Sequence, residues 1–528
     1  MRIATLLPVG MMASASALAA APDAPRRPNI LFIMSDDHAA NAISCYGSRI
    51  NRTPNIDRLA AEGARMERVY ATNPICAPSR ASILTGMYSH KNGVPTFNEI
   101  STDFKTVGGY MREAGYYTSF LGKWHVGRPS SVRDSDWDSW AVYENQGVYF
   151  DPYFFVRGAN GGIERKSYKG EYVTDNITRL AKEEISRALD SGKPFFMMMH
   201  HKAPHRNWIP SPKYRDKFRK LTLKDIPIPE TLFDDYAGRA SPIRTAAMTL
   251  LRHMRPKLDL KIAEYFTNGG EFEFEGKKYE GAKDANGKYV DAWPVGMDDR
   301  ARTAFSYLRY MQDYLATVQS VDDSVGEMLD FLKEKGVDKD TLIIYTSDQG
   351  FFLGEHGLYD KRFIMEETLQ MPFVARMPST IAPGTVCKGL VSNVDFAPTF
   401  LDLVGVKVPE GMQGESFVGE LTGKKPVPSD RAIYCRYYIE GGEHGTAAWT
   451  GVVTATEKLV HYYKRGEWEY FDTAKDPEEL HNRYADPSAA KRVEALKKIL
   501  AERKAALGDD DSFSDVGEYT LHPQRGTK

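Results

Sequence analysis

A chain of 528 residues is longer than one ordinary hydrophobic core serves, which points to two domains or to one large domain with an appendage. It is 42% hydrophobic and 27% charged, and 69 Lys and Arg nearly balance 71 Asp and Glu. The formal charge of −2 excludes the strongly basic face of a general nucleic-acid binder, yet a few cations focused in a cleft would still hold an anionic ligand.

The chain opens with Arg2 and a mostly apolar or small run over residues 4–19. With Ala17-Leu18-Ala19 or Leu18-Ala19-Ala20 as cleavage site, residues 1–20 read as a signal peptide. Export to the periplasm or the extracellular space is therefore expected. No other segment reaches the roughly 18 apolar residues of a membrane span, and none is expected. Four cysteines are too few for a disulfide scaffold. Cys45, Cys387 and Cys435 read as buried thiols, with a Cys387–Cys435 bridge as the alternative.

The continuous apolar run Asn29–Met34 suits a buried parallel strand, and it stops at Ser35-Asp36-Asp37-His38. Thr53-Pro54 opens a helix, with Thr53 as N-cap and Ile56, Leu59 and Ala60 on its apolar face. A second buried strand over Phe195–Met199 ends in His200 and His201, which read as strand-ending residues. A long amphipathic helix over Arg302–Lys335 precedes a third strand, Thr341–Thr346, which ends in Ser347-Asp348-Gln349-Gly350. This alternation predicts an α/β fold, a large mixed and mostly parallel sheet sandwiched by helices, over residues 21–425. Residues 206–300, rich in charge and glycine with a hairpin at Gly270–Gly281, read as an insertion that shapes a surface or cleft. Beyond residue 425 the strands Ile433–Ile439, Gly451–Thr456 and Leu459–Tyr463 precede a helix bearing Val493, Leu496, Leu500 and Leu507 on one face. That pattern predicts a smaller α+β domain, antiparallel sheet plus helix, over residues 426–508, with a polar tail at 509–528.

Asp36, Asp37 and Asp348 thus stand at strand ends, where ligands of open α/β sheets bind. Convergent carboxylates repel unless a cation lies between them. With the Gln349 amide they form an all-oxygen set suited to Ca²⁺ or Mg²⁺. Taken alone, ordinary turn chemistry is the better explanation of either cluster. The segment Cys76-Ala77-Pro78-Ser79-Arg80 to Thr85-Gly86 adds more. Pro78 fits the first helical position and Gly86 the position just past the end, so Cys76 faces the positive end of a short helix, with Arg80 one turn on.

Cys76 to Gly86 resembles the first signature of the type I sulfatases of the alkaline phosphatase superfamily, Cys-x-Pro-Ser-Arg followed four residues later by Thr-Gly. Gly115-Tyr116-Tyr117-Thr118 and Gly122-Lys123-Trp124-His125 resemble the second. The resemblance runs from about Asn29 to Asp486. It implies that a separate maturation system oxidises Cys76 to formylglycine. One hydroxyl of the hydrated aldehyde attacks sulfur, and the second lets the enzyme release sulfate. It further implies Asp36, Asp37, Asp348 and Gln349 as metal ligands, completed by residue 76. Arg80 and Lys123 would hold the formylglycine, and His125 would be the base for its collapse. His205 and Lys361 would bind sulfate, one of them protonating the leaving oxygen. Gln349 stands where the family usually has Asn, and Asp395 matches a position read as structural.

The stretches His201–Trp208 and Gln349–Gly357 resemble carbohydrate sulfatases, most of all N-acetylglucosamine-6-sulfatases acting on heparan-type glycosaminoglycans. On that resemblance Asp360, Arg362 and His444 are expected to hold sugar hydroxyls. The sequence leaves Glu355-His356 open between active-site rim and plain loop. Three alternatives stay open: another sulfated polysaccharide, a phosphonate monoester or phosphodiester, and a binding protein that has lost catalysis.

Overall fold

In the computed structural model, residues 27–266 and 271–517 are described. The segment read as a signal peptide and the end of the polar tail lie outside them. The centre is a ten-stranded sheet whose strands, in spatial order, begin at residues 385, 64, 373, 341, 29, 195, 117, 139, 153 and 163. The five strands from 341 to 139 are parallel throughout. Antiparallel pairings at 373 and 153 close the parallel run on either side.

Side chains alternate across a strand, and Asn29–Ser35 shows both faces of the sheet buried. Ile30, Phe32 and Met34 enter one core with Ala81 and Leu84 of helix Cys76–Thr85 and with Phe396 and Phe400 of helix Phe396–Leu403. Leu31 and Ile33 enter the other with Ile177 and Ile185 of helix Val173–Asp190 and Val321 and Met328 of helix Asp299–Glu334. Helices therefore sandwich the sheet. Residues 208–279 contribute a further apolar cluster against the first half of the long helix, Trp208 tilting 4.4 Å from the ring of Tyr310. The hairpin expected there is formed by Glu271–Phe274 and Lys277–Glu280.

Beyond the large sheet, Ile433–Tyr437, Trp449–Val453, Glu457–Tyr462 and Glu467–Asp472 make a four-stranded antiparallel sheet. Helix Ala490–Leu507 covers one face through Val493, Leu496 and Leu500. The other face packs Cys435, Tyr437 and Trp449 on Tyr70 and Ile75. The fourth strand was not anticipated.

Three local readings change. Thr53 stands at the N-cap of Pro54–Ala61 but makes no capping bond. Its hydroxyl engages Ser44 instead, and Asp322 of the long helix accepts the N–H groups of Asn55 (3.1 Å) and Ile56 (2.9 Å). Pro78 is the third residue of its helix, not the first. Its missing N–H is still one of the four orphan donors of a helix start, so the ring fits without loss. Cys45 is partly exposed, while Cys387 and Cys435 are buried; all are free thiols.

Candidate active site

Register brings the strand-end residues together. Ser35 pairs with Ser347, so Asp36 and Asp348 leave the sheet side by side. Gly122 pairs with His200 one strand further on, which places Lys123 at the same edge. A Cβ on Gly122 would meet the His200 carbonyl oxygen at 1.9 Å, and its φ of +95° suits glycine, so no other residue fits there. Asp37 takes a φ of +65°, held by its own N–H on Asp348 Oδ1 (3.1 Å) and by Tyr314 donating to its carbonyl (2.8 Å). His125, Asp360 and Arg362 also have positive φ. Such backbone strain collects at functional sites.

Cys76 is fully buried in the first turn of its helix. Its Sγ, an oxygen of Asp36 and a ring nitrogen of His205 lie within 4.8 Å of one another, as do carboxylate oxygens of Asp36, Asp37 and Asp348. Arg80 donates from Nε to Asp348 Oδ2 (3.0 Å) and from Nη1 to the Lys123 carbonyl (2.8 Å), with Asp36 Oδ1 3.7 Å from Nη2. Lys123 pairs with Asp36 and also donates to Gln146. Lys361 pairs with Asp37, which accepts from Gln349 and lies 3.7 Å from His205 Nε2. Nine of the ten residues expected at the metal and sulfate positions therefore form one network, and the tenth, His125, meets it through Gln146 (3.3 Å).

Burial and neighbouring charge set its protonation. Burial lifts Asp37 up to about 8, with Lys361 opposing, and Asp348 up to about 6. At Asp36 burial works the same way, but Lys123, His205 and Arg80 overcome it and hold the carboxyl well below its usual range. Burial depresses His125 and His205 and raises the Cys76 thiol. Asp36 Oδ1 and Gln349 Oε1 are buried oxygens without a hydrogen-bond donor. Such orphans cost about 1–3 kcal/mol each. The three clustered carboxylates and the amide oxygen fit a hard divalent cation, which would satisfy both orphans and relieve the repulsion.

The network opens into a cavity of ≈ 450 Å³ lined by Cys76, His205 and Lys361, and also by Asp360, Arg362 and His444. Asp360 is the hub of the second group: His444 Nε2 lies 3.3 Å from one of its oxygens and Arg362 Nε 3.4 Å from the other. Glu355 instead lines a separate cavity of ≈ 650 Å³ that contains none of the expected site residues. His356 turns to Asp234 (2.8 Å). Asp395 completes a capping box with Ser392, in keeping with a structural position.

Four residues had no role in the sequence reading. Gln146 lies between Lys123 and His125, its Nε2 3.3 Å from His125 Nε2. Lys202 lines the cavity, donates to the Gln146 carbonyl (2.8 Å) and lies over Tyr149 at 4.8 Å. Tyr149 in turn donates to the His205 carbonyl (2.6 Å). His200, read as merely ending a strand, lies 3.2 Å from Arg80 Nη1. His201 meets Ser324 at 3.1 Å, away from this network. Lys202 lies in the stretch His201–Trp208, three residues before His205, and that proximity was the available signal.

The family described as Sulfatase matches residues 28–406, and one described as N-sulphoglucosamine sulphohydrolase, C-terminal, matches 354–506. The chain is 38% identical to the N-acetylglucosamine-6-O-sulfatase of Bacteroides thetaiotaomicron, over 96% of this chain and 91% of that one. It is 24% identical to an ulvan-active sulfatase of Formosa agariphila, over 95% and 85%. A solved structure described as a complex with its substrate D-glucosamine-2-N,6-O-disulfate superposes with a TM-score of 0.80 at 36% identity, covering 93% of this chain and all of that one. Cys76, the acid cluster and the cationic cavity thus lie in a chain matched along nearly its whole length by enzymes of one kind: it belongs to the sulfatase family and is a sulfuric ester hydrolase.

Proposed function

We propose that the chain removes the 6-O-sulfate of N-acetylglucosamine or glucosamine in heparan-type glycosaminoglycans, as an exported, formylglycine-dependent enzyme using Ca²⁺. The observation that carries this reading is one cavity holding both Cys76 and the Asp360–Arg362–His444 cluster. The choice of sugar is supported by the similarity to an N-acetylglucosamine-6-O-sulfatase and to a glucosamine disulfate complex. Export rests on the signal-like residues 1–20, and no described helix is long and apolar enough to cross a membrane.

Oxidised to formylglycine and hydrated, residue 76 supplies one hydroxyl for attack on sulfur and another for release of sulfate. Held by Asp36, Asp37, Asp348 and Gln349, a divalent cation supplies charge that favours the nucleophile's anion and neutralises sulfate oxygens. Lys123 and Arg80 fix Asp36 and Asp348 and bring positive charge beside residue 76. His125, kept unprotonated by burial, is ready to accept a proton, and Gln146 orients its ring. Lys361 binds the sulfate as a fixed cation: burial opposes its charge, but Asp37 holds its proton tightly. His205 is therefore the better donor to the departing sugar oxygen, because bound sulfate raises its depressed affinity for a proton.

The decisive experiment is sulfate release from 6-, 3- and 2-O-sulfated hexosamines and uronic acids, with the residue-76 peptide first checked by mass. Release confined to 6-O-sulfated glucosamines and abolished by Cys76→Ala is the expected result. Release from another sulfated sugar moves the substrate. No release by formylglycine-bearing protein removes the carbohydrate reading.

A further inference from the structure

We infer that Arg255 and Glu443 form a polar clasp at the cavity mouth that reads a second anionic group on the substrate, beyond the sulfate being cleaved. This rests on the reading of the cavity as a sugar-sulfate site. Both side chains line that cavity. They come from opposite walls, Arg255 from the insertion and Glu443 from the loop that follows Ile433–Tyr437. Their charged atoms lie 3.9 Å apart, and both side chains are more than half exposed, at 57% and 56%. A pair that long and that wet contributes little stability, and bound anion can separate it without leaving a buried charge behind.

Among the other cations of the cavity, Lys202 donates to the Gln146 carbonyl (2.8 Å), and three are committed to carboxylates. Arg206 is held by a bidentate pair with Asp259 (2.8 and 2.6 Å), Arg362 by Asp360 and Tyr437, and Lys361 by Asp37. Arg255 is different, because its backbone is fixed and its head is not. The fully buried Asp259 that clamps Arg206 also accepts the N–H of Arg255 (2.7 Å), so the turn is anchored to the segment that carries His205. Opposite, the loop bearing Glu443 is closed by the Gly441–Thr446 bridge and fastened to the insertion by Ala247 donating to the His444 carbonyl (2.7 Å). Glu443 is thus the immediate neighbour of His444, which holds Asp360. An anion arriving beside the sugar meets a guanidinium free to fork onto it and a carboxylate that repels it, so affinity for doubly charged substrates is set by the two together. The second anion has two sources, a sulfate on the 2-amino group of the same sugar or the carboxylate of a neighbouring uronic acid.

The test measures kcat/KM of the full-length, formylglycine-bearing enzyme on three 6-O-sulfated substrates: the N-acetylated monosaccharide, the N-sulfated monosaccharide and an N-acetylated disaccharide with a uronic acid. For Arg255→Ala, the ratio of an extra-anion substrate to the N-acetylated monosaccharide is expected to fall about tenfold, the scale of one charged hydrogen bond. Arg255→Lys should fall between, because it keeps charge but loses the fork. Glu443→Gln should raise the same ratio about threefold, and both effects should shrink at 0.5 M salt, where exposed charges are screened. A fall confined to the N-sulfated sugar assigns the amino-group sulfate, and one confined to the disaccharide assigns the uronate. Ratios unchanged in both active variants overturn the clasp and leave the sulfatase reading intact. A wild-type enzyme that releases no 6-O-sulfate overturns both.

Discussion

His205 and Lys361 both reach Asp37, yet their surroundings give them different work. If His205 protonates the departing oxygen, its loss matters most where that oxygen is strongly basic. His205→Ala should then cost about 10²–10⁴-fold in kcat on a sugar sulfate, the usual range for general acid catalysis, but far less on 4-nitrophenyl sulfate, which needs no proton. Lys361→Ala should damage both substrates alike, since a sulfate-binding cation is needed whatever leaves. Equal losses for both variants on both substrates would remove the assignment of the acid. Lys202 makes a pH prediction. Burial, helped by Lys123, depresses it to about 7, so it is cationic below that pH and loses its charge as pH rises. Anion binding should weaken accordingly, and kcat/KM should fall above pH 7. Lys202→Arg should move that alkaline limb upward, because guanidinium keeps its proton. The strand-end acids and Cys76 were legible because their positions are local, each fixed by one strand or helix end. Gln146 and Tyr149 were not, because they join the site only through the order of strands.

At the scale of elements, the helix that begins at Pro54 shows how local signals are overridden. Thr53-Pro54 has the composition of a self-capped helix, but the cap comes from Asp322, 267 residues away from Asn55. Asp322→Ala should therefore cost about 2 kcal/mol, the upper end for a lost cap, seen as a lower midpoint in chemical denaturation. Asp322→Asn should cost less. Burial lifts Asp322 up to about 6, above the roughly 3.9 of an unfolded aspartate. A group whose folded pKa is raised adds stability at low pH and loses it as pH climbs through the folded value. The advantage of wild type over Asp322→Asn should thus narrow between about pH 4 and pH 7 and change little above that. The unread strands have a related cause. Ile163–Ser167 is exposed along its length and carries no apolar face, so periodicity has nothing to register. Glu467–Asp472 hides its pattern differently, because one of its inward residues is the fully buried Glu469.

That glutamate matters for the whole molecule. The main sheet brings the strand-end residues together, whereas His444 comes from the C-terminal part of the chain, so on the proposed function sugar recognition depends on how the two parts are joined. Glu469 accepts from Arg239 Nε (2.7 Å), from the Ala240 N–H (2.9 Å) and from Tyr462 (3.1 Å), and both members of the ion pair are 1% exposed. Beside it, Glu467 accepts the Ser241 N–H (2.6 Å), and the same stretch of insertion runs on to Ala247, which holds the His444 carbonyl. Removing one partner of a buried pair leaves the other charge stranded, at a cost of about 3–5 kcal/mol. Glu469→Ala should lower the melting temperature and, by loosening the loop behind His444, raise KM for 6-O-sulfated glucosamine. KM for 4-nitrophenyl sulfate, which has no sugar to hold, should stay close to wild type, and Glu469→Gln should recover part of both losses. If stability falls while the sugar KM does not move, the joint is only structural and His444 is positioned by Asp360 alone. If both substrates weaken equally, the joint supports the catalytic groups themselves, and recognition of the sugar is not separable from the chemistry at residue 76.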